Sequence, residues 1–458
     1  MSLPSTERVA PTARALVGLA WPIVVSRSAQ AIVGLADALM VAHLGATALA
    51  AATTGAMNTF ALFILPMGLV FIVGSFASQH FGRGDPVGAR RFAFYGLLVA
   101  LLTQGVALFS LPFIPAVISA FEFEPVLSGL IQDYLAIRLM ASGAVVMVET
   151  LASYYGGIGN TRRPMVISLI AMVLNIFGNW LLIDGHLGFP GMGVQGAAWA
   201  SALSTVVAGL IFLALFFRDG WREGVIFPRL RRSELWSTLR YGTPSGLNWF
   251  FEFAGFLFFV NVVVGGLGTT SLAALMSVMQ LNSVAFMPAM ALASAGAIVV
   301  GQAIGAGHRD DVPKAVKLTF FLAGGWQSLV GVIYLLVPAL AFAPFARGEE
   351  GPELLQIGIR MLMLSAAWQL FDAAVATLAE ALRAAGDTTF TLWARTFLTW
   401  AVFAPGSWYM VHRMGFGDTT AMLWLVFYIA GLAAVLWWRF QSGAWRRFDL
   451  SGSGAPLH

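Results

Sequence analysis

Residues 47–78 read TALAAATTGAMNTFALFILPMGLVFIVGSFAS, a run without one Asp, Glu, Lys or Arg. Roughly 20 mostly apolar residues are enough to carry a helix across a bilayer. The rest of the chain follows the same pattern. Of 458 residues, 59% are hydrophobic and 10% are charged, and the mean hydropathy is +0.80. Soluble domains carry about 25% charged residues. One water-soluble core cannot hide this much apolar surface, whereas lipid removes the need to hide it. Reading for equivalent runs between polar breaks gives twelve spans, at about 14–42, 47–78, 89–119, 126–152, 162–184, 193–217, 233–265, 270–304, 313–342, 354–382, 388–411 and 417–440. The expected fold is therefore an all-α polytopic membrane protein with twelve transmembrane helices. Pro22, Pro66, Pro112, Pro244, Pro288 and Pro405 lie inside spans and predict kinks.

The basic residues orient these spans. Of 26 Arg and Lys residues, twenty fall on one side, among them Arg8, Arg14, Arg83, Arg90, Arg91, Arg162, Arg163 and the cluster from Arg218 to Arg240. The opposite loops hold only Arg347, Arg360 and Arg413. Positive residues stay in the cytoplasm. Both termini are expected there, in a multi-pass protein of the plasma membrane (the bacterial inner membrane). The net charge of +4 and the pI near 9.6 follow from this topology, so no nucleic-acid partner is expected. MSLPSTERVAPTAR at 1–14 lacks the apolar core and cleavage site of a signal peptide and reads as a cytoplasmic tail. The absence of Cys excludes disulfides and thiolate chemistry. No GxxxxGK[ST] or HExxH stretch occurs, so neither direct ATP coupling nor an enzyme is expected.

The chain also repeats itself. HLGATALAA at 43–51 matches GLGTTSLAA at 266–274, and FGRG at 81–84 matches IGAG at 304–307, both at an offset of 223. TLA at 150–152 recurs at 377–379, and Gly159 and Thr161 recur as Gly386 and Thr388. Three collinear matches predict two six-helix lobes, 1–220 and 241–458, joined by a basic cytoplasmic linker at 221–240 that contains PRLRRSELW. Equivalent points are an even number of spans apart. The lobes should be related by a pseudo-two-fold along the membrane normal, with a cavity between them near the midplane.

Five stretches carry a family resemblance: WPIVVSRSAQAIVGLADALMVAHLG from Trp21, ASQHFGRGD from Ala77, NIFGNWLLIDGHLGFPGMGVQGAA from Asn175, GTPSGLNWFFEFAGF from Gly242 and AAWQLFDAAVATLAEALRAAGDT from Ala366. Together they resemble the multidrug and toxic compound extrusion family, in its NorM-type branch, over nearly the whole chain. The resemblance implies a monomeric secondary antiporter that expels amphipathic, often cationic compounds. It implies no cofactor beyond Na+ or H+ as the coupling ion. It puts acidic positions at Glu252 and Asp372. Arg27 inside the first span and Glu380 in the tenth depart from the pattern.

A charge at the centre of a spanning helix costs about 2.5–3.5 kcal/mol on insertion scales, so intramembrane ionisable groups are functional candidates by default. Glu252 lies twelve residues beyond Arg240, and Asp372 twelve beyond Arg360. At 1.5 Å per residue each is about 18 Å into its helix, near the midplane. Asn248 shares a helix face with Glu252, and Trp368 with Asp372. Glu252 and Asp372 are expected to form a cation site, with Na+ or a proton on the carboxylate oxygens. In the first span Ser26, Gln30 and Asp37 fall on one stripe. Asp37 is expected to respond to protons, with Asn175 and Asn179 as neighbours. Arg27 needs an acidic partner, Glu149 or Glu380. Met276, Met279, Met287 and Met290 crowd the eighth span, where flexible thioethers would suit a substrate wall. A flippase for a lipid-linked sugar or related amphipathic lipid is the alternative reading.

Overall fold

The computed structural model describes residues 11–121, 123–345 and 351–450. Arg8 and Arg347 of the charge argument lie outside them, as does most of the N-terminal tail. Among the described residues every regular element is helical. Ten helices are long and apolar enough to cross a membrane: α1 (Ala13–Ala42), α2 (Ala46–Gly82), α3 (Pro86–Ser119), α5 (Arg162–Ile183), α6 (Gly193–Arg222), α7 (Arg232–Leu267), α8 (Thr269–Gly305), α9 (Arg309–Leu336), α10 (Gly351–Ala385) and α12 (Asp418–Gln441). The pair Pro125–Leu139 and Ser142–Gly157, bent by 49°, makes an eleventh span, α4. The twelfth, α11, alternates α-helical Thr388–Phe397 and Ala404–Trp408 with π-helical Leu398–Phe403 and Tyr409–Arg413. Pro405 supplies no backbone donor, and the widened turn beside it absorbs the mismatch. Helical segments stand at all twelve positions read from hydropathy.

The sharp bend in α4 falls where no proline stands. Gln104 of α3 explains it. Its Nε2 donates to the Leu139 carbonyl at 3.3 Å. Its Oε1 accepts from the Gly143 amide at 2.9 Å and from Ser142 Oγ at 3.4 Å. The side chain takes over backbone groups that a continuous helix would satisfy, as an inserted polar group does at a kink.

The repeat is visible in the backbone. Gly45 precedes α2 with φ 107° and ψ 169°. Gly268 precedes α8 with φ 110° and ψ 167°. A side chain at either position would be strained, so both repeats keep glycine at this turn. The turn of FGRGD ends on Asp85, whose Oδ1 accepts from the Gly88 amide at 2.7 Å and caps α3. Burial works to raise the Asp85 pKa. The Gly88 bond, His80 and Arg91 outweigh it and hold the carboxyl below its ordinary 3.8.

The chain divides into two compact units. The N-terminal unit is Pro22–Phe81 with Asp85–Gly246; the C-terminal unit runs from Leu247 onward, with α1 up to Trp21 and the turn Gly82–Gly84. Each has its own apolar core. Val41, Phe63, Ile131 and Ile183 belong to the first. Phe259, Leu275, Met361 and Phe403 belong to the second, with Met279 packed against them.

Candidate ion-coupling sites

Asp37 sits in α1, in the N-terminal unit, partly buried. Asn179 of α5 donates Nδ2–H to Asp37 Oδ1 at 2.6 Å. Ser201 of α6 donates its hydroxyl to Asp37 Oδ2 at 2.9 Å. Behind them, Asn175 Nδ2 donates to Ser201 Oγ at 3.0 Å, and Asn179 Nδ2 also lies 3.3 Å from Asn175 Oδ1. Asn175 and Asn179 are one turn apart and are 1% and 0% exposed, so α5 presents both from one buried face. Asp37 has no ion pair among the described residues. Hydrogen bonds to a charged group are worth about 1.5–3 kcal/mol each. Two of them are of the same size as the penalty for a carboxylate in a span. Asn179 Oδ1 remains buried without a partner. A carboxylate, a hydroxyl and an open amide oxygen make the all-oxygen donor set that a hard cation prefers; the same carboxylate can take a proton.

Glu252 of α7 is held differently. It ion-pairs with Arg395 of α11, whose side chain is 7% exposed while that of Glu252 is 47% exposed. Asp372 of α10 accepts from Gln327 Nε2 of α9 at 2.9 Å. Its other oxygen accepts no hydrogen bond among the described residues. Gln327 is 1% exposed and belongs to a buried polar layer of the C-terminal unit. There Gln369 Nε2 donates to Asn282 Oδ1 at 2.5 Å, and Asn282 Nδ2 to Ser365 Oγ at 3.2 Å. Glu252, Asp372 and Arg395 thus gather in one unit.

The remaining predicted residues distribute as follows. Arg27 Nη2 lies 3.7 Å from Glu149, and Arg27 Nη1 donates to Gln30 Oε1 at 3.2 Å. Glu380 pairs with Arg383, one turn away on α10. Ser26 bonds Ser168 at 2.6 Å. Asn248 keeps a buried Oδ1 without a partner, and Trp368 is 5% exposed. Met276 is exposed and Met279, Met287 and Met290 are partly buried. No group of three or more His, Asp or Glu side chains is placed to hold a metal among the described residues.

Sequence reasoning missed Ser201, Gln327 and Arg395. Arg395 left a signal. Twenty basic residues on one side and three on the other, out of 26, leave Arg27, Arg138 and Arg395 inside spans. A buried guanidinium in α11 demands an acid. Ser201 and Gln327 left none, since a neutral polar residue in a span has many uses.

Comparison with known proteins agrees with this architecture. The MatE family model matches residues 22–181 and again 244–407, one match in each sequence repeat. A protein of Rhizobium meliloti (strain 1021) named probable multidrug resistance protein NorM is 29% identical over 442 residues, 93% of this chain and 92% of that one. The multidrug resistance protein PmpM of Pseudomonas aeruginosa is 28% identical over 455 residues, 96% of this chain and 93% of that one. A crystal structure of MATE in complex with MaL6 superposes with a TM-score of 0.88 at 22% identity, covering 97% of this chain and all of that one, which establishes the shared fold. Twelve helices, two repeats and a family match in both of them agree: this chain belongs to the MatE family.

Proposed function

We propose that the chain is a monomeric secondary antiporter of the bacterial plasma membrane. It exports amphipathic, often cationic compounds in exchange for Na+ or H+ by alternating access, with both termini cytoplasmic. The observation that carries this reading is Asp37, a carboxylate inside a spanning helix held by neutral donors, with Asn179 Oδ1 open beside it. The relatives named multidrug resistance proteins, similar along more than nine-tenths of their length, support the export of drugs. The asymmetry of basic residues supports the orientation.

A cation or proton at Asp37 removes its charge and redirects the Ser201 hydroxyl and the Asn179 amide. The ion shifts the conformational equilibrium by its differential affinity for the two states, and the drug does the same from its own site. Sodium at Glu252 and Asp372 would first have to displace Arg395 from Glu252. Arg138 acts on Asp37 only from beyond ion-pair distance, and no cation has to be displaced from its oxygens among the described residues, so we assign the coupling ion to it. Glu252, half exposed, and Asp372, with a carboxylate oxygen free, suit an organic cation.

The test is ethidium accumulation in an efflux-deficient bacterial host expressing the wild type or Asp37→Asn at matched levels, with and without sodium. Lower dye in the wild type, lost in the variant, is the expected outcome; a sodium requirement names the ion. Dye levels equal to the empty vector, with the protein in the membrane, would end the drug-export reading and bring the lipid flippase forward. Full export by Asp37→Asn would end the assignment of the ion.

A further inference from the structure

A cavity of about 720 Å³ opens within the C-terminal unit, among α9, α10 and α12. Phe320, Phe371, Ala430, Ala433 and Ala434 wall it. Its floor is the turn Ala444–Arg447 that follows α12. Trp445 of that turn is 2% exposed, stacks on Phe440 with ring centres 5.5 Å apart and donates its Nε1–H to the Phe440 carbonyl at 3.0 Å. Arg309 grips the same turn through the carbonyls of Arg446 and Phe448. The floor is therefore tied down by packing and hydrogen bonds.

Three observations define what the cavity accepts. Its volume lies in the range of ligand sites, about 300–1,000 Å³. Lys317 and Arg446 line it. Lys317 is exposed, lies over the Phe321 ring at 5.8 Å and forms no ion pair among the described residues; Arg446 lies over the Trp445 ring at 5.1 Å, and among the described residues its one ion pair is with Asp310 at 3.0 Å, whose side chain is 95% exposed. Such exposed pairs exchange readily. Thr377 also lines the cavity. It is 2% exposed, and its Oγ1 is buried without a partner. Helical threonines normally return this proton to the carbonyl one turn back, as Thr319 does to Ala315 at 2.8 Å and Thr391 to Asp387 at 2.9 Å. Thr377 does not.

We propose that this cavity holds a membrane lipid with an anionic phosphate headgroup. The phosphate sits on Lys317 and Arg446, an ester carbonyl accepts from the Thr377 hydroxyl, and one acyl chain lies along the alanines of α12 against Phe320 and Phe371. The depths agree. Lys317 lies five residues from Val312, where the α-helical part of α9 begins, and Thr377 eight from Ala385, the end of α10. Counted along the two helices from these ends, near Arg309 and Arg383, the Thr377 backbone is about 4.5 Å further in than that of Lys317. A free phosphate would leave the aromatic and alanine walls without a use. Phe321 and Trp437 line the cavity and are 61% and 58% exposed, marking where a chain enters from the side.

The test is native mass spectrometry of the full chain in detergent, titrated with phosphatidylglycerol and with phosphatidylcholine of identical acyl chains. Phosphatidylglycerol is expected to be retained at least tenfold better, since each basic residue contributes on the scale of anionic-lipid attraction. The double variant Lys317→Ala/Arg446→Ala should weaken its retention roughly thirtyfold, and Thr377→Val roughly fivefold. The control Arg222→Ala/Arg229→Ala should leave it unchanged. Equal retention of both lipids, or equal loss in the control, would reduce the binding to a general lipid coat and overturn the proposal. Complete competition by inorganic phosphate would overturn the lipid in favour of a free anion. If the double variant fails to fold, judged by its melting in detergent, Thr377→Val decides. The readout is binding, so it stands whatever compound the protein transports.

Discussion

Asp37 in the N-terminal unit and Glu252 in the C-terminal unit are both carboxylates in membrane spans, and they are neutralised in opposite ways. Asp37 has an amide and a hydroxyl, both uncharged. Glu252 has a guanidinium. The difference decides what each can do. Asp37 is bonded only by neutral donors, with the Arg138 guanidinium acting on it from beyond ion-pair distance, so a small cation or proton finds an unpaired carboxylate and donors that can turn. A carboxylate already paired offers a small cation only an exchange. Asp372 stands between them, with one neutral donor, Gln327, and one free oxygen.

The largest expected effect breaks or confirms this contrast directly. Asp37→Asn should reduce coupled ethidium export more than tenfold, to the level of the empty vector, while Glu252→Gln should keep a measurable part of it. The reverse order, read in the same accumulation assay at matched expression, would move the coupling ion to the C-terminal unit.

A second experiment sharpens the other half. Glu252→Gln leaves the Arg395 guanidinium buried without its acid, and should cost about 3 kcal/mol of unfolding free energy in detergent. Replacing both, as Glu252→Gln with Arg395→Met, should recover most of that loss, since the unpaired charge is then gone. A double variant as unstable as the single one would show that the pair contributes packing and not charge compensation.

The smallest effect places Asp372. Gln327→Leu removes one hydrogen bond to a charged group and should cost about 1.5 kcal/mol, measured by the same unfolding. A much larger loss, together with loss of export, would group Asp372 with Asp37 as a residue whose charge is set by neutral donors.

How much of this was legible in the sequence varies with range. The Asn175 and Asn179 pair was legible because one helical turn fixes both on one face. Their meeting with Asp37 was foreseen only as a neighbourhood. Ser201, which completes it, comes from a helix whose register against α1 no local pattern records. Arg27 needed an acid, and two were available in the sequence; the fold brings it to Glu149 and leaves Glu380 with Arg383. The bend in α4 carried no proline signal, because its cause is Gln104, a side chain of the preceding span.

The sequence by itself determined the class, the twelve spans and the repeat. These rest on local quantities: the length of apolar runs against the thickness of a bilayer, and glycines at turns whose φ no other residue adopts without strain. Only the tertiary structure decided which polar groups meet. Inside a membrane span a polar group that its own helix does not satisfy must look to another helix, and which one it meets depends on helix packing and rotation, which are summed over the whole fold and written at no single position.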